Sequence, residues 1–284
     1  MIAVTGATGQ LGTLVVEALL KTVPANQIIA AVRSPAKAKV FADKGVQVRE
    51  ADYSRPETLA TAFAGATKLL LISGNELGQR IPQHKAAIDA AKAAGVKLIA
   101  YTSLLHADTS KLLLAAEHLA TERYLQASGI PFVLLRNGWY TENWTAAIAP
   151  ALQQGAFIGA TKDGRVAAAA RADYAVAAAA VLTGEGHEDK IYELAGDIAF
   201  TRAEFAAEVS KQTGRPIGYH DLPEQEYEKI LATFLPHGLA PILADAEAKA
   251  ANGALDDNSH SLSHLIGHPT EPLAITVANA LKEL

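Results

Sequence analysis

Three glycines stand in the run Thr5-Gly6-Ala7-Thr8-Gly9-Gln10-Leu11-Gly12, a spacing of G-x-x-G-x-x-G. The run lies between a short apolar segment and a helical pattern. There a tight turn, a close backbone approach and close helix–strand packing together suit phosphate chemistry. The N–H groups of the following helix then face an anion such as a pyrophosphate. Gly6, Thr8, Gly9, Gln10, Leu11 and Gly12 are therefore expected to cradle a dinucleotide. The alternative is an ordinary tight turn, because the spacing is not the G-x-G-x-x-G of the dinucleotide fingerprint.

The second apolar run ends Ala31-Val32-Arg33-Ser34-Pro35. An acidic residue at this point of the fold would bind the ribose 2′-hydroxyl of NAD, whereas a guanidinium pairs with the 2′-phosphate of NADP. Arg33 therefore favours NADPH, with Ser34, Lys37 and Lys39 adding a hydroxyl and positive potential. Ser73, Gly74 and Asn75 follow the fourth run, where ligands sit in open α/β sheets. Asp52 is either an acceptor for the adenine amino group or a turn aspartate before Pro56.

The sixth run leads into Asn137-Gly138-Trp139-Tyr140-Thr141-Glu142-Asn143-Trp144. Both tryptophans of a chain with only 6% aromatic residues are here, so the segment is the densest aromatic patch. Gly138 and Trp139 are expected beside the cofactor, and Tyr140 and Asn143 beside a planar substrate. Aromatic faces stack on such a molecule and an amide binds its carbonyl. Packing against a helical cap is the competing use of the same residues.

Proton donors are scarce. None of the eight tyrosines is followed four residues on by a lysine, so the Tyr-x-x-x-Lys acid of many nicotinamide enzymes is absent. His118 and Glu122 are one helical turn apart and form a candidate His–carboxylate pair, or an ordinary polar pair on a helix face. Reduction of a carbonyl to an alcohol wants a positioned acid. Reduction of a quinone wants one less, because the product anion is a stabilised phenolate. His260, His264 and His268 recur every four residues, but Gly267 and Pro269 break the helix around the last, so no metal is expected.

These residues need a scaffold, and the chain supplies one. Apolar runs at Ile2–Val4, Ile28–Val32, Val46–Arg49, Lys68–Ile72, Leu98–Thr102 and Phe132–Arg136 alternate with helical patterns at 11–22, 35–44, 56–64, 79–94 and 111–128. This alternation predicts a Rossmann-type α/β fold, a doubly wound parallel sheet. Later helices are expected near 141–153, 172–183, 201–213, 224–234, 240–252 and 271–283, with a strand at Ile191–Leu194. The expected division is an NADP-binding domain over 1–196, with a cap insertion near 138–165, and a mainly helical substrate cap over 197–284.

The 284 residues are enough for such an arrangement, and a 50% hydrophobic, 19% charged chain is not disordered. A net charge of −5 argues against non-specific nucleic-acid binding. The absence of cysteine removes thiol redox chemistry and thiolate metal sites. The apolar stretch Val166–Leu182 is interrupted by Arg171 and Asp173, so it predicts a buried helix and not a span. With no signal-like start, a soluble cytoplasmic protein is expected.

The glycine loop, Arg33, Tyr101-Thr102-Ser103, the stretch His118–Leu125, Ser128-Gly129-Ile130-Pro131, Leu135–Tyr140 and Arg171–Ala175 resemble an NmrA-like atypical short-chain dehydrogenase/reductase. Leu265-Ile266-Gly267-His268-Pro269 is similar to the close of its bacterial NADPH:quinone oxidoreductase branch. The resemblance implies flavin-independent, two-electron reduction of a quinone by NADPH. Some reductases of the wider family have a lysine where this chain has His118. A non-enzymatic NADP(H)-sensing regulator, and a reductase or isomerase for another small substrate, are the competing readings.

Overall fold

The computed structural model describes residues 1–236 and 238–284. By its contacts the chain divides into two compact units. The first comprises Met1–Ala107, Glu117–Asn137 and Arg171–Tyr192; the second comprises Asp108–Ala116, Gly138–Ala170 and Glu193–Leu284.

Strands and helices alternate as far as residue 137: β1 (Ile2–Thr5), α1 (Gln10–Leu19), β2 (Ile28–Val32), α2 (Lys39–Ala42), β3 (Gln47–Glu50), α3 (Pro56–Phe63), β4 (Lys68–Leu71), α4 (Arg80–Ala93), β5 (Leu98–Leu104), α5 (Ala115–Ala127) and β6 (Phe132–Asn137). The chain then forms α6 (Glu142–Thr145), α7 (Ile148–Gln154) and β7 (Ala156–Gly159), followed by α8 (Arg171–Thr183) and β8 (Lys190–Leu194). It ends with α9 (Arg202–Thr213), β9 (Gly218–Asp221), α10 (Glu224–Leu231), α11 (Leu239–Ala250), α12 (Ser261–Ile266) and α13 (Leu273–Lys282).

The main sheet has the order β3-β2-β1-β4-β5-β6-β8. Its pairings from β3 through to β6 are all parallel. The winding reverses between β1 and β4, so the expected Rossmann-type sheet is present. Every residue of β1, β2 and β5 is buried, as a sheet covered on both faces requires. On one face Leu59, Phe63, Ala87, Ile88 and Ala91 from α3 and α4 pack with Ile29, Leu69, Leu71, Ile99 and Tyr101. In α1 the buried residues Leu11, Val15, Val16 and Leu19 form one stripe. That helix packs against α8, whose inward face is mainly alanine.

The second unit holds a sheet that the sequence pattern does not announce. Strands β7 and β9 pair in parallel from Ala156 with Gly218 to Gly159 with Asp221. Helices α10 and α11 pack together through Tyr227, Leu231, Ala240 and Ala244. A capping box starts α9: Thr201 accepts from the Glu204 N–H, and Glu204 accepts from the Thr201 N–H.

Two expected helices differ in detail. The segment 35–44 is a 3-10 turn at Pro35–Ala38 followed by the single turn of α2. The segment 141–153 is broken between α6 and α7, because Ala147 leaves helical geometry at φ −91°, ψ 0°. The late histidines flank a short helix: His260 precedes α12 in a left-handed conformation, and Gly267 ends it before His268. No helix among the described residues is long and apolar enough to cross a membrane. No group of three His, Cys, Asp or Glu among them is placed to hold a metal.

Candidate functional site

The glycine loop follows β1 and opens α1. Gly6 turns the chain with a left-handed φ of +57°. A Cβ on Gly12 would lie 2.2 Å from the Gly6 carbonyl oxygen and 2.8 Å from Ala7 Cα, so no larger residue fits there. Gly9 caps α1 without any side-chain bond, which leaves the first-turn N–H groups at Gln10 and Leu11 for an outside acceptor. Gly6, Thr8, Gly9 and Gln10 are exposed, while Leu11 and Gly12 are buried and anchor the turn. This donor set, with its steric need for glycine, fits a pyrophosphate.

Arg33 stands just beyond β2 with its side chain 67% exposed. Its Nη1 lies 3.3 Å from Oε1 of Glu76, a residue of the loop after β4. Lys39 is turned to Asp43 at 2.7 Å. Asp52 takes the turn role: its Oδ1 accepts from the Ser54 N–H at 2.9 Å, and its Oδ2 lies 3.6 Å from Arg55.

The loop Ser73-Gly74-Asn75 is fixed by side chains that carry no recognisable motif. The Ser73 N–H donates to Thr102 Oγ1 at 2.8 Å. The Gly74 N–H donates to His84 Nε2 at 2.9 Å, and the Gly74 carbonyl accepts from Arg80 Nε at 2.8 Å. Arg80 is tied in turn to Glu117 at 3.0 Å, and a second Glu117 oxygen accepts from the Gly78 N–H. Because His84 accepts at Nε2, its proton sits on Nδ1, 3.0 Å from Thr121 Oγ1. Burial, with a smaller push from the Arg80 charge, lowers His84 to about 3, so it is neutral at neutral pH. Asn75 itself is exposed.

The His118–Glu122 pair does not form. Each residue has a better partner on a neighbouring strand. His118 Nδ1 lies 2.8 Å from the Tyr101 hydroxyl of β5. Glu122 receives Arg136 of β6 in a two-point grip, from Nε at 2.9 Å and Nη2 at 2.8 Å, and Ser103 Oγ at 2.5 Å. Burial holds His118 well below the usual histidine range, and nearby Arg80 and His84 add to this. Burial likewise pushes the Tyr101 phenol up. These are neutral groups at pH 7, so neither histidine is a ready proton donor.

The remaining expected residues lie in the second unit. Gly138 is buried, and its N–H donates to the Leu194 carbonyl at 2.7 Å. Trp139 is buried, Tyr140 is half-buried, and Asn143 is exposed on α6. Trp144, beside Asn143, is a packing residue. Its Nε1 donates to Glu247 at 3.1 Å, and its ring meets Phe200 and Phe205 edge-on at 5.5 and 5.7 Å. The guanidinium of buried Arg202 lies 4.5 Å from the centre of the Trp144 ring.

The NmrA-like family pattern matches residues 1–267. Quinone oxidoreductase 2 of Escherichia coli (strain K12) is 57% identical over 280 residues, which is 98% of either chain. The crystal structure of the NADPH-dependent quinone oxidoreductase of E. coli complexed with NADPH superposes with a TM-score of 0.96, at 56% identity, over 99% of this chain and 100% of the other. The NADP(H) complex of Citrobacter sp. triphenylmethane reductase superposes at 0.94, with 42% identity over 99% of this chain and 100% of that one. The chain belongs to the NmrA-like family.

Proposed function

We propose that the protein is an NADPH-dependent quinone oxidoreductase that works without flavin. One observation carries the reading: a glycine cradle with free helix N-terminal donors, and an exposed arginine at the end of β2. The likeness to the E. coli quinone oxidoreductase adds the acceptor class. Gly6, Thr8, Gly9, Gln10, Leu11 and Gly12 hold the pyrophosphate, and Arg33 holds the 2′-phosphate. Ser73, Gly74, Asn75, Gly138 and Trp139 complete the cofactor side, and Tyr140 and Asn143 receive the quinone. Bound NADPH supplies the hydride.

The protein's own part is orientation. The Asn143 amide binds a quinone oxygen, and the Tyr140 ring offers a flat face. His118 holds the Tyr101 hydroxyl in place and, being neutral, leaves the product anion to be protonated by solvent. The test is loss of NADPH absorbance on adding simple quinones to protein free of flavin. Turnover is expected, and Asn143→Ala should raise the quinone KM about tenfold while NADPH affinity stays unchanged. Tight NADPH binding with no turnover of any quinone would instead make the chain a cofactor sensor.

A further inference from the structure

The end of β2 lacks the carboxylate that reads a ribose 2′-hydroxyl, yet the structure supplies one from another loop. Glu76 stands beside Arg33 at 3.3 Å, and its own side chain is 46% exposed. The carboxylate is anchored. Its second oxygen accepts from Gln83 Nε2 at 2.7 Å, and the same nitrogen lies 3.0 Å from Ser54 Oγ. Gln83 is only 7% exposed and sits in the second turn of α4, so a buried amide holds Glu76 facing the arginine.

We propose that Glu76 is a cofactor-specificity residue that narrows the preference for NADPH over NADH. The inference rests on Arg33 being the 2′-phosphate ligand. A phosphate arriving there brings about two negative charges. It must share the guanidinium with Glu76 and is repelled by that carboxylate across a few ångströms of exposed surface. A plain ribose has the opposite experience, because its 2′-hydroxyl can donate to the carboxylate. One side chain thus weakens the phosphorylated cofactor and supports the other. A preference set by Arg33 alone would be steeper.

The experiment measures dissociation constants of NADPH and NADH by calorimetry, without quinone, for the wild type, Glu76→Gln and Arg33→Ala. Both positions are exposed, and thermal melting checks that each variant is folded. In Glu76→Gln, NADPH should bind about three- to tenfold tighter and NADH several-fold weaker. The gap between wild type and variant for NADPH should shrink as salt is raised. If Arg33→Ala weakens NADPH while Glu76→Gln leaves the ratio of the two constants unchanged, the role of Glu76 is overturned and that of Arg33 stands. If Arg33→Ala leaves the ratio unchanged, the reading of Arg33 falls and the inference falls with it.

Discussion

Each unit sets a buried arginine beside a buried glutamate, Arg136 with Glu122 in the first and Arg202 with Glu247 in the second, and these two pairs are built on different terms. In the first, Arg136 grips Glu122 through two parallel hydrogen bonds, and Ser103 takes a further place on the carboxylate. In the second, Arg202 approaches Glu247 at only 3.6 Å, and its Nε and Nη1 have no hydrogen-bond partner among the described residues. Three rings stand round that guanidinium instead: Trp144 at 4.5 Å, Phe157 at 5.6 Å and Phe205 at 5.9 Å. Glu247 meanwhile accepts from the Trp144 indole and the Ala160 N–H. The first pair depends on its partner charge. The second depends on aromatic faces, with the carboxylate serving the rings as much as the arginine.

The sharpest way to break this contrast is to neutralise each carboxylate in turn. Glu122→Gln leaves the buried Arg136 charge without its carboxylate and should cost about 3–5 kcal/mol in urea unfolding. A cost below about 1 kcal/mol would show that the two-point grip matters little.

Acid separates the units next. His84 has its proton affinity lowered from 6.5 to about 3 by burial, so between those pH values the unfolded chain binds the proton that the folded chain refuses. Its contribution to stability is complete above about pH 6.5 and declines as pH falls toward 3. Asp197, in the second unit, behaves otherwise. Burial works to raise its pKa, but bonds from Ser263, the Thr270 N–H and His260 outweigh this and hold it below 3.8. Its contribution is lost only at pH values below 3.8. Urea melts at pH 7 and pH 5 should therefore show a loss of stability that His84→Gln reduces and Asp197→Asn leaves in place. Equal slopes in all three proteins would contradict the assignment.

The smallest effect is expected at the second pair. Glu247→Gln should cost about 1–2 kcal/mol, because the three rings remain. A loss as large as that of Glu122→Gln would erase the distinction.

The same contrast explains what could be read from the sequence. The sheet was legible because its strands are uninterrupted apolar runs, and the cradle because glycine is the only residue that fits at Gly12. The scaffold behind the loop Ser73-Gly74-Asn75 was not. Arg80, His84 and Glu117 lie on helices with no spacing that marks them: His84 and Arg80 bind the backbone of Gly74, and Glu117 holds Arg80. His118 and Glu122 misled in the other direction. Helical spacing brought them to one face, but the strands β5 and β6 beneath offered Tyr101 and Arg136 at better geometry. The strands β7 and β9 escaped notice because each is four residues long and pairs with a segment some sixty positions away. The carboxylate at Glu76 was hidden for the same reason: it reaches Arg33 from 43 positions along the chain.

The packing of α1 against α8 has a consequence for how the protein is made. Helix α1 leaves the ribosome with residues 10–19, but its cover, α8, is residues 171–183. At a synthesis rate of roughly 5–20 residues per second, the apolar stripe of Leu11, Val15, Val16 and Leu19 stays bare for on the order of ten seconds or more. Nascent chains stalled before residue 171 therefore carry the finished phosphate loop on an uncovered helix, and these are the species a chaperone would be expected to hold.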